Sequence, residues 1–351
     1  MHRRTSPLLV VALAAMLALV AIPSVADDTA ASSGGTTPAA VATKVVGNGT
    51  PASCTPAALA RAVRTGGNIT FRCGSKPIVI TLRTTLYTCN TSNCKHVWQG
   101  GTPVTAMTLD GGGKVTISGG DARGIFYANT CEESFGWIDA HCDTQRTPHI
   151  TFKNITLANG NATKTPPGFD EVGGGGGGGA IAMRGGRLTV RDSKLINNRC
   201  MWEHSDAGGG AIRVVGQVET TRIFDSTLIN NRCANGGAVS SLGAPLQIRD
   251  SVLEKNRATG HGASSGAGGN GGAVYFDGSD QDVYVERTRI KDNSAHEGGP
   301  GVFYVSNDRS GDLRITNSTV VHNTGAAFWT GSTTNLFWIA RSFVRTGSTI
   351  E

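Results

Sequence analysis

One motif, written five times, governs the last two-thirds of this 351-residue chain. Gly-Gly-Ala-(Ile/Val) occurs at 178–181, 209–212, 236–239 and 271–274, with a worn copy at Gly299-Pro300-Gly301-Val302. Each copy leads into a short apolar stretch and then into (Leu/Ile/Val)-x-x-Asn. The second halves align as Leu188 to Leu195 ending in Asn198, Thr221 to Leu228 ending in Asn231, and Leu246 to Leu253 ending in Asn256. Val283 to Ile290 then ends in Asn293, and Leu313 to Val320 in Asn323. Ile150 to Leu157 opens the series, and Phe337 to Val344 is read as the copy that closes it. A fixed-order repeat of this length marks a solenoid. Spacings between starts vary from 24 residues (313 to 337) to 38 (150 to 188), so the insertions fall in loops while the strand cores keep register.

Within a copy the apolar residues alternate with polar ones. Val190, Ile223, Ile248, Val285, Ile315 and Ile339 form one column in this alignment. Ser193, Ser226, Ser251, Ser318 and Ser342 form another, and Leu195, Leu228, Leu253, Ile290 and Val320 a third. A period of two means strands with one face inward. The Asn column suits a tight turn, because Asn tolerates left-handed backbone angles. Asn side chains stacked at strand spacing can also bond one another along the axis. One strand per edge, with like residues recurring, predicts parallel coils about 4.8 Å apart. The expected fold is all-β, a single-stranded right-handed parallel β-helix. A β-sandwich would not repeat side chains column by column.

The paired Gly-Gly-Ala-(Ile/Val) and hydrophobic-x-x-Asn signatures resemble the repeats of polymorphic outer-membrane proteins and of secreted pectate-lyase-like right-handed β-helix proteins. The resemblance covers roughly residues 45–351. It departs at the first position of the Asn motif, where those outer-membrane repeats carry Phe and this chain has Leu, Ile or Val. The resemblance implies the fold but not the activity, since the fold hosts adhesins, lyases and hydrolases alike. Trp137-Ile138-Asp139-Ala140-His141 is similar to the Trp-Ile-Asp-His stretch of pectate lyases, with Ala140 inserted.

Residues 1–26 read as a secretory signal peptide. Arg3 and Arg4 start it, Leu8 to Ile22 is apolar, and Ser24-Val25-Ala26 is a small-residue cleavage site. A flexible linker is expected over 27–44, then the β-helix over 45–351, with irregular rungs in 45–149 and regular repeats in 150–351. The expected location is secreted, either extracellular or at the cell surface, with no membrane span once the signal is removed. A net charge of +6 over the whole chain, without a basic run, makes no case for nucleic acid.

The eight cysteines agree with an oxidising compartment. Cys200 and Cys233 both follow Asn-Asn-Arg, so the stacked coils place them one above the other, and they are paired. Cys54–Cys73, Cys89–Cys94 and Cys131–Cys142 then follow as local bridges. Loop closure assigns about 3 kcal/mol to each of the Cys54–Cys73 and Cys200–Cys233 bridges. Metal ligation is the other use of paired Cys, but Cys-x-x-Cys spacing is absent.

A β-helix must cover its ends. Thr55 as N-cap and Pro56 in the first turn predict a short capping helix, with Ala58, Leu59, Ala62 and Val63 on one face. At the other end Phe328, Trp329, Phe337, Trp338 and Phe343 form a cap or a docking face.

Loops on a solenoid gather along fixed edges. The edge between the Asn column and the next Gly-Gly-Ala carries the longest insertions. They are Gly160 to Gly177 with Asp170 and Glu171, Met201 to Asp206, Ala258 to Asn270 with His261, and Ala295-His296-Glu297. Arg199, Arg232 and Arg257 stack at its base. Trp202, Glu203, His204 and Asp206 join them as candidate binding residues. Trp offers a ring face to a sugar, and Arg matches a uronate carboxylate in bidentate fashion. The same residues also serve as solvated loop groups, with the Arg column paired to nearby acids. The ligand expected is a polysaccharide or cell-surface glycan, bound without catalysis. The alternative is a polysaccharide lyase or glycoside hydrolase acting on an acidic polysaccharide, with no catalytic residue assigned. On the opposite edge Asp277, Asp280, Asp282, Asp308 and Asp312 offer oxygen ligands for Ca²⁺, although Asx turns account for them more simply.

Overall fold

The computed structural model describes residues 43–88, 104–131, 145–165, 172, 175–262, 266–326 and 335–351. Among them the strands form three sheets of 17, 8 and 6 strands, and the pairings are parallel. The described residues form a parallel β-helix with one α-helix at its N-terminal end. One winding shows the plan. Val239–Leu242 lies in the 8-stranded sheet, and Leu246–Arg249 and Val252–Glu254 lie in the 17-stranded long sheet. Arg257–Ala258 lies in the 6-stranded short sheet.

Register follows the sequence columns. Val190 lies against Ile223, Ile223 against Ile248, Ile248 against Val285, and Val285 against Ile315. All five are at most 1 % exposed, so this column is the core seen edge-on. The column does not end on Ile339. Arg345 takes the next place, and Ile339 pairs with Val305 in the 8-stranded sheet. The closing copy is therefore Phe343 to Ile350, not Phe337 to Val344, and the Ser column ends on Ser348 rather than Ser342.

Two polar ladders run through this core. Each column Asn donates its backbone N–H and its Nδ2 to the Oδ1 of the Asn in the next coil, through Asn198, Asn231, Asn256, Asn293 and Asn323. Asn335 receives the last pair of bonds. In the Ser column each backbone N–H donates to the hydroxyl of the next coil, and each hydroxyl donates to the carbonyl two residues before it, Thr288 substituting for Ser in one coil. A buried amide satisfied on every side is inexpensive, whereas one left alone costs the full desolvation of its groups. The ladder is thus the reason for Asn here. The left-handed angle falls one residue earlier, at Asn197, Asn230, Lys255, Asp292 and His322, with φ between 55° and 56°.

Gly-Gly-Ala has a three-part explanation. The first Gly is left-handed, as at Gly236 with φ 54°. A Cβ on the second, Gly237, would collide with the Gly272 carbonyl oxygen and the Arg257 backbone. The Ala is fully buried, as at Ala238.

The N-terminal helix spans Pro56–Arg64, with the Thr55 hydroxyl accepting from the Ala58 N–H at 3.1 Å. Leu59 and Val63 are fully buried over the first coil. The first strand is Thr43–Val46, so ordered pairing begins two residues before the boundary drawn at 45. Residues 1–42, which hold the expected signal peptide and most of the linker, lie outside the described residues. No helix among the described residues is long and apolar enough to cross a membrane.

Cys54–Cys73 and Cys200–Cys233 are both bonded, with Cα atoms 5.6 and 4.7 Å apart. Cys131 is also in a disulfide. Cys89, Cys94 and Cys142 lie outside the described residues, as do Trp137 to His141, Phe328 and Trp329. Disulfides of this kind fit an oxidising environment. At the C-terminal end Phe337 stacks on Phe303 with centroids 4.7 Å apart, and Trp338 meets Phe343 at 4.7 Å.

Candidate functional site

The short sheet carries the arginine column. Arg199 lies in register with Arg232, and Arg232 with Arg257; Ser294 and Thr324 continue the line. Each coil leaves this sheet toward the next Gly-Gly-Ala, so loop length decides what covers the edge. The Cys233 coil returns almost at once, through Ala234 and Asn235 to Gly236. The coils on either side have long loops, and these meet across the gap. His204 N–H donates to the Ala267 carbonyl at 3.1 Å, and the Thr259 hydroxyl donates to the Trp202 carbonyl at 2.6 Å. Asn235 Nδ2 props the arch from below, donating to the Ser205 carbonyl at 2.8 Å.

The arch brings five side chains from three coils into one chain of contacts. Glu203 Oε1 accepts from His261 Nδ1 at 2.9 Å. The His261 ring lies against that of His296, with centroids 3.8 Å apart. His296 Nε2 meets Arg257 Nη2 at 3.0 Å, and the Arg257 guanidinium carbon stands 5.3 Å from the Trp202 ring centroid. Trp202 is 49 % exposed. Glu297 stands beside the group and accepts from the Gly262 N–H at 2.7 Å.

Elementary hydrogen-bond chemistry fixes the proton positions. A guanidinium can only donate, so His296 Nε2 accepts and carries no proton. An ionised carboxylate can only accept, so His261 Nδ1 donates. Burial, then the neighbouring His261 and Arg257, hold the His296 imidazole below its ordinary titration range, against the opposing pull of Glu297 and Glu203.

Of the seven candidate residues, Trp202, Glu203 and Arg257 converge. Arg232, in the adjoining coil, is exposed and makes no ion pair among the described residues. Arg199 is engaged elsewhere, pairing with the Asp121 carboxylate at 3.0 Å. His204 and Asp206 serve their own loop: His204 Nδ1 accepts from the Asp206 N–H at 3.1 Å, and Asp206 accepts from Ser205 at 2.6 Å. Asp170 and Glu171 lie outside the described residues. His261 and His296 prove more central than their lack of motif spacing implied.

Arg213 escaped sequence reasoning. It is fully buried, donating from Nε to the Val172 carbonyl at 2.7 Å and from Nη1 to the Ser240 hydroxyl at 3.4 Å. Its register partners are Ala182 and Ser240. An Arg where neighbouring copies hold small residues was the available signal.

The opposite edge has a structural role. Asp277 accepts from Tyr275 and Asn307, and Asp282 from Tyr284 and the Asp312 N–H. Asp308 accepts from Ser310. Among the described residues no group of three or more His, Cys, Asp or Glu is placed to hold a metal ion.

Comparison of the chain with protein-family models, with curated proteins and with solved structures yields no match. The fold therefore rests on the stacking itself, and the reading of the edge on its side chains.

Proposed function

We propose that this is an exported protein that binds an acidic polysaccharide along its long-loop edge. The observation that carries the reading is the half-exposed Trp202 ring beside the Arg257 guanidinium, with the exposed Arg232, in no ion pair among the described residues, one coil away. An aromatic face takes the apolar face of a sugar, and guanidinium forks take its carboxylates. Parallel coils repeat these groups at about 4.8 Å, which favours an extended, repeating ligand over a compact one. The resemblance to secreted pectate-lyase-like β-helix proteins supports a polysaccharide, and the disulfides support an exported chain.

The test is calorimetric titration with polygalacturonate and, as control, an uncharged polysaccharide. Polygalacturonate should bind, more weakly as salt rises. Trp202→Ala and Arg232→Ala should each weaken it about tenfold, roughly 1.4 kcal/mol, without moving the melting temperature. Absence of binding to acidic polysaccharides would end this reading.

A second reading, a lyase, is favoured by the Glu203–His261 pair. A carboxylate that orients an imidazole is the arrangement of a general base, and Arg257 would neutralise the uronate beside it. Elimination yields an unsaturated product that absorbs in the ultraviolet. Incubation with polygalacturonate, with and without Ca²⁺, separates the two readings: a rising absorbance lost in His261→Ala establishes turnover, and a flat trace rejects it.

A further inference from the structure

We propose that His296 is a proton-operated positioning residue. Neutral, it holds Arg257 through Nε2; protonated, it releases the guanidinium to the ligand side of the edge. The proposal deepens the recognition reading and rests on it for the ligand, though not for the release itself.

The geometry is specific. The Arg257 Nη2–His296 Nε2 contact of 3.0 Å exists only while that nitrogen keeps its lone pair. A proton there turns the acceptor into a donor and sets imidazolium against guanidinium. Every charged or titratable neighbour can be named. His261 faces His296 ring to ring from the Gly260 loop, and Arg257 faces it from the short sheet. Glu297 adjoins it in its own loop, and Glu203 acts from the arch, bound to His261. Burial first, and then the neighbouring His261 and Arg257, disfavour the protonated ring. The carboxylates keep the protonated state within reach. Once released, Arg257 still has the Trp202 ring beside it, so its fork stays on the sugar-binding face.

The direction of the pH effect follows. A depressed histidine takes up its proton only below its ordinary value of about 6.5. Acidification through that window adds one positive charge at His296 and frees a second at Arg257. Binding of a polyanion should therefore tighten as pH falls. Uronate carboxylates, with reference values near 4, remain ionised down to about pH 5.

Two arms test this. In the first, without ligand, ¹⁵N NMR follows the His296 ring nitrogens and the Arg257 guanidinium from about pH 7.5 to about pH 5. The Arg257 resonance should move with the His296 titration, and in His296→Gln, whose amide oxygen still accepts, it should stay fixed. In the second, polygalacturonate affinity is measured at both ends of the range. The wild type should gain about tenfold on acidification, the scale of one charge-assisted contact, while His296→Gln gains much less. An Arg257 signal indifferent to His296, or an equal pH response in His296→Gln, overturns the latch. Coupled NMR signals with no polygalacturonate binding at either pH support the latch and count against the recognition reading instead.

Discussion

Replacing Asn256 with Ala removes one rung from the middle of the amide ladder. Asn256 Nδ2 donates to the Leu228 carbonyl and to Asn293 Oδ1, both at 2.9 Å. Its Oδ1 accepts from the Asn231 backbone N–H at 3.0 Å and from Asn231 Nδ2 at 2.9 Å. The Ala variant loses all four bonds and strands two N–H donors of Asn231, a residue with no exposed surface. A buried orphan costs about 1 to 3 kcal/mol, so two cost about 2 to 6, and about 4 kcal/mol is the expected loss. Coils contact only their neighbours, so a single unfolding midpoint blurs the effect. Native-state hydrogen exchange at the Asn231 amide reads it directly, because that proton is the one orphaned. Lys194→Ala on the exposed outer face serves as control and should stay within about 0.5 kcal/mol. If Asn256→Ala costs less than about 1 kcal/mol at that amide, the ladder does not hold the coils and the reasoning fails.

Gly237→Ala should cost more than about 3 kcal/mol by urea unfolding, since the new Cβ meets the Gly272 carbonyl and the Arg257 backbone, neither of which can yield. Ala at the half-buried Gly243, where a Cβ meets nothing, should cost less despite its φ of 54°. Acid stability should depend on Asp312, whose enclosed carboxylate accepts from Arg341 at 2.7 and 3.0 Å and from Ser342 at 2.9 Å. Arg341 holds this carboxyl well below the usual range, with burial opposing. A depressed folded value means the stabilisation is complete above the ordinary value near 4 and fades as pH falls through the folded one. Asp312→Asn should therefore flatten the acid limb of the stability curve below about pH 4, as followed by circular dichroism. An unchanged limb would show that the Asp312–Arg341 pair is not what acid breaks.

The coils were legible in the sequence wherever stacking demands one residue type. A ladder of amides accepts only amides, and a backbone crossing at Gly237 accepts only Gly, so both columns stood out as repeats. The left-handed turns did not, because residues as unlike as Asn197, Lys255 and His322 occupy them. The final coil was not legible because Phe337 to Ile339 supplies an apolar residue for the core column where the true copy places the charged Arg345, and because Asn335 stands where other coils have Ala or Gly. The edge was legible as a place but not as a constellation. Whether Glu203 reaches His261 depends on the brevity of the Ala234-Asn235 return, which lets two distant loops close over it. No residue type in either loop announces that distance.

The central claim is that successive windings lie directly over one another, and a disulfide across two of them measures this most directly. Thr227 and Val252 are register partners on the outer face of the long sheet. Native Cys200 and Cys233, likewise on adjoining coils, bond with Cα atoms 4.7 Å apart. Thr227→Cys/Val252→Cys should therefore close under mild oxidation, as read by peptide mapping. Thr227→Cys/Arg289→Cys, which spans two coils at about 9.6 Å, should not, being beyond the reach of a disulfide. A bridge in the second pair and none in the first would contradict the stacking, and with it the site built upon it.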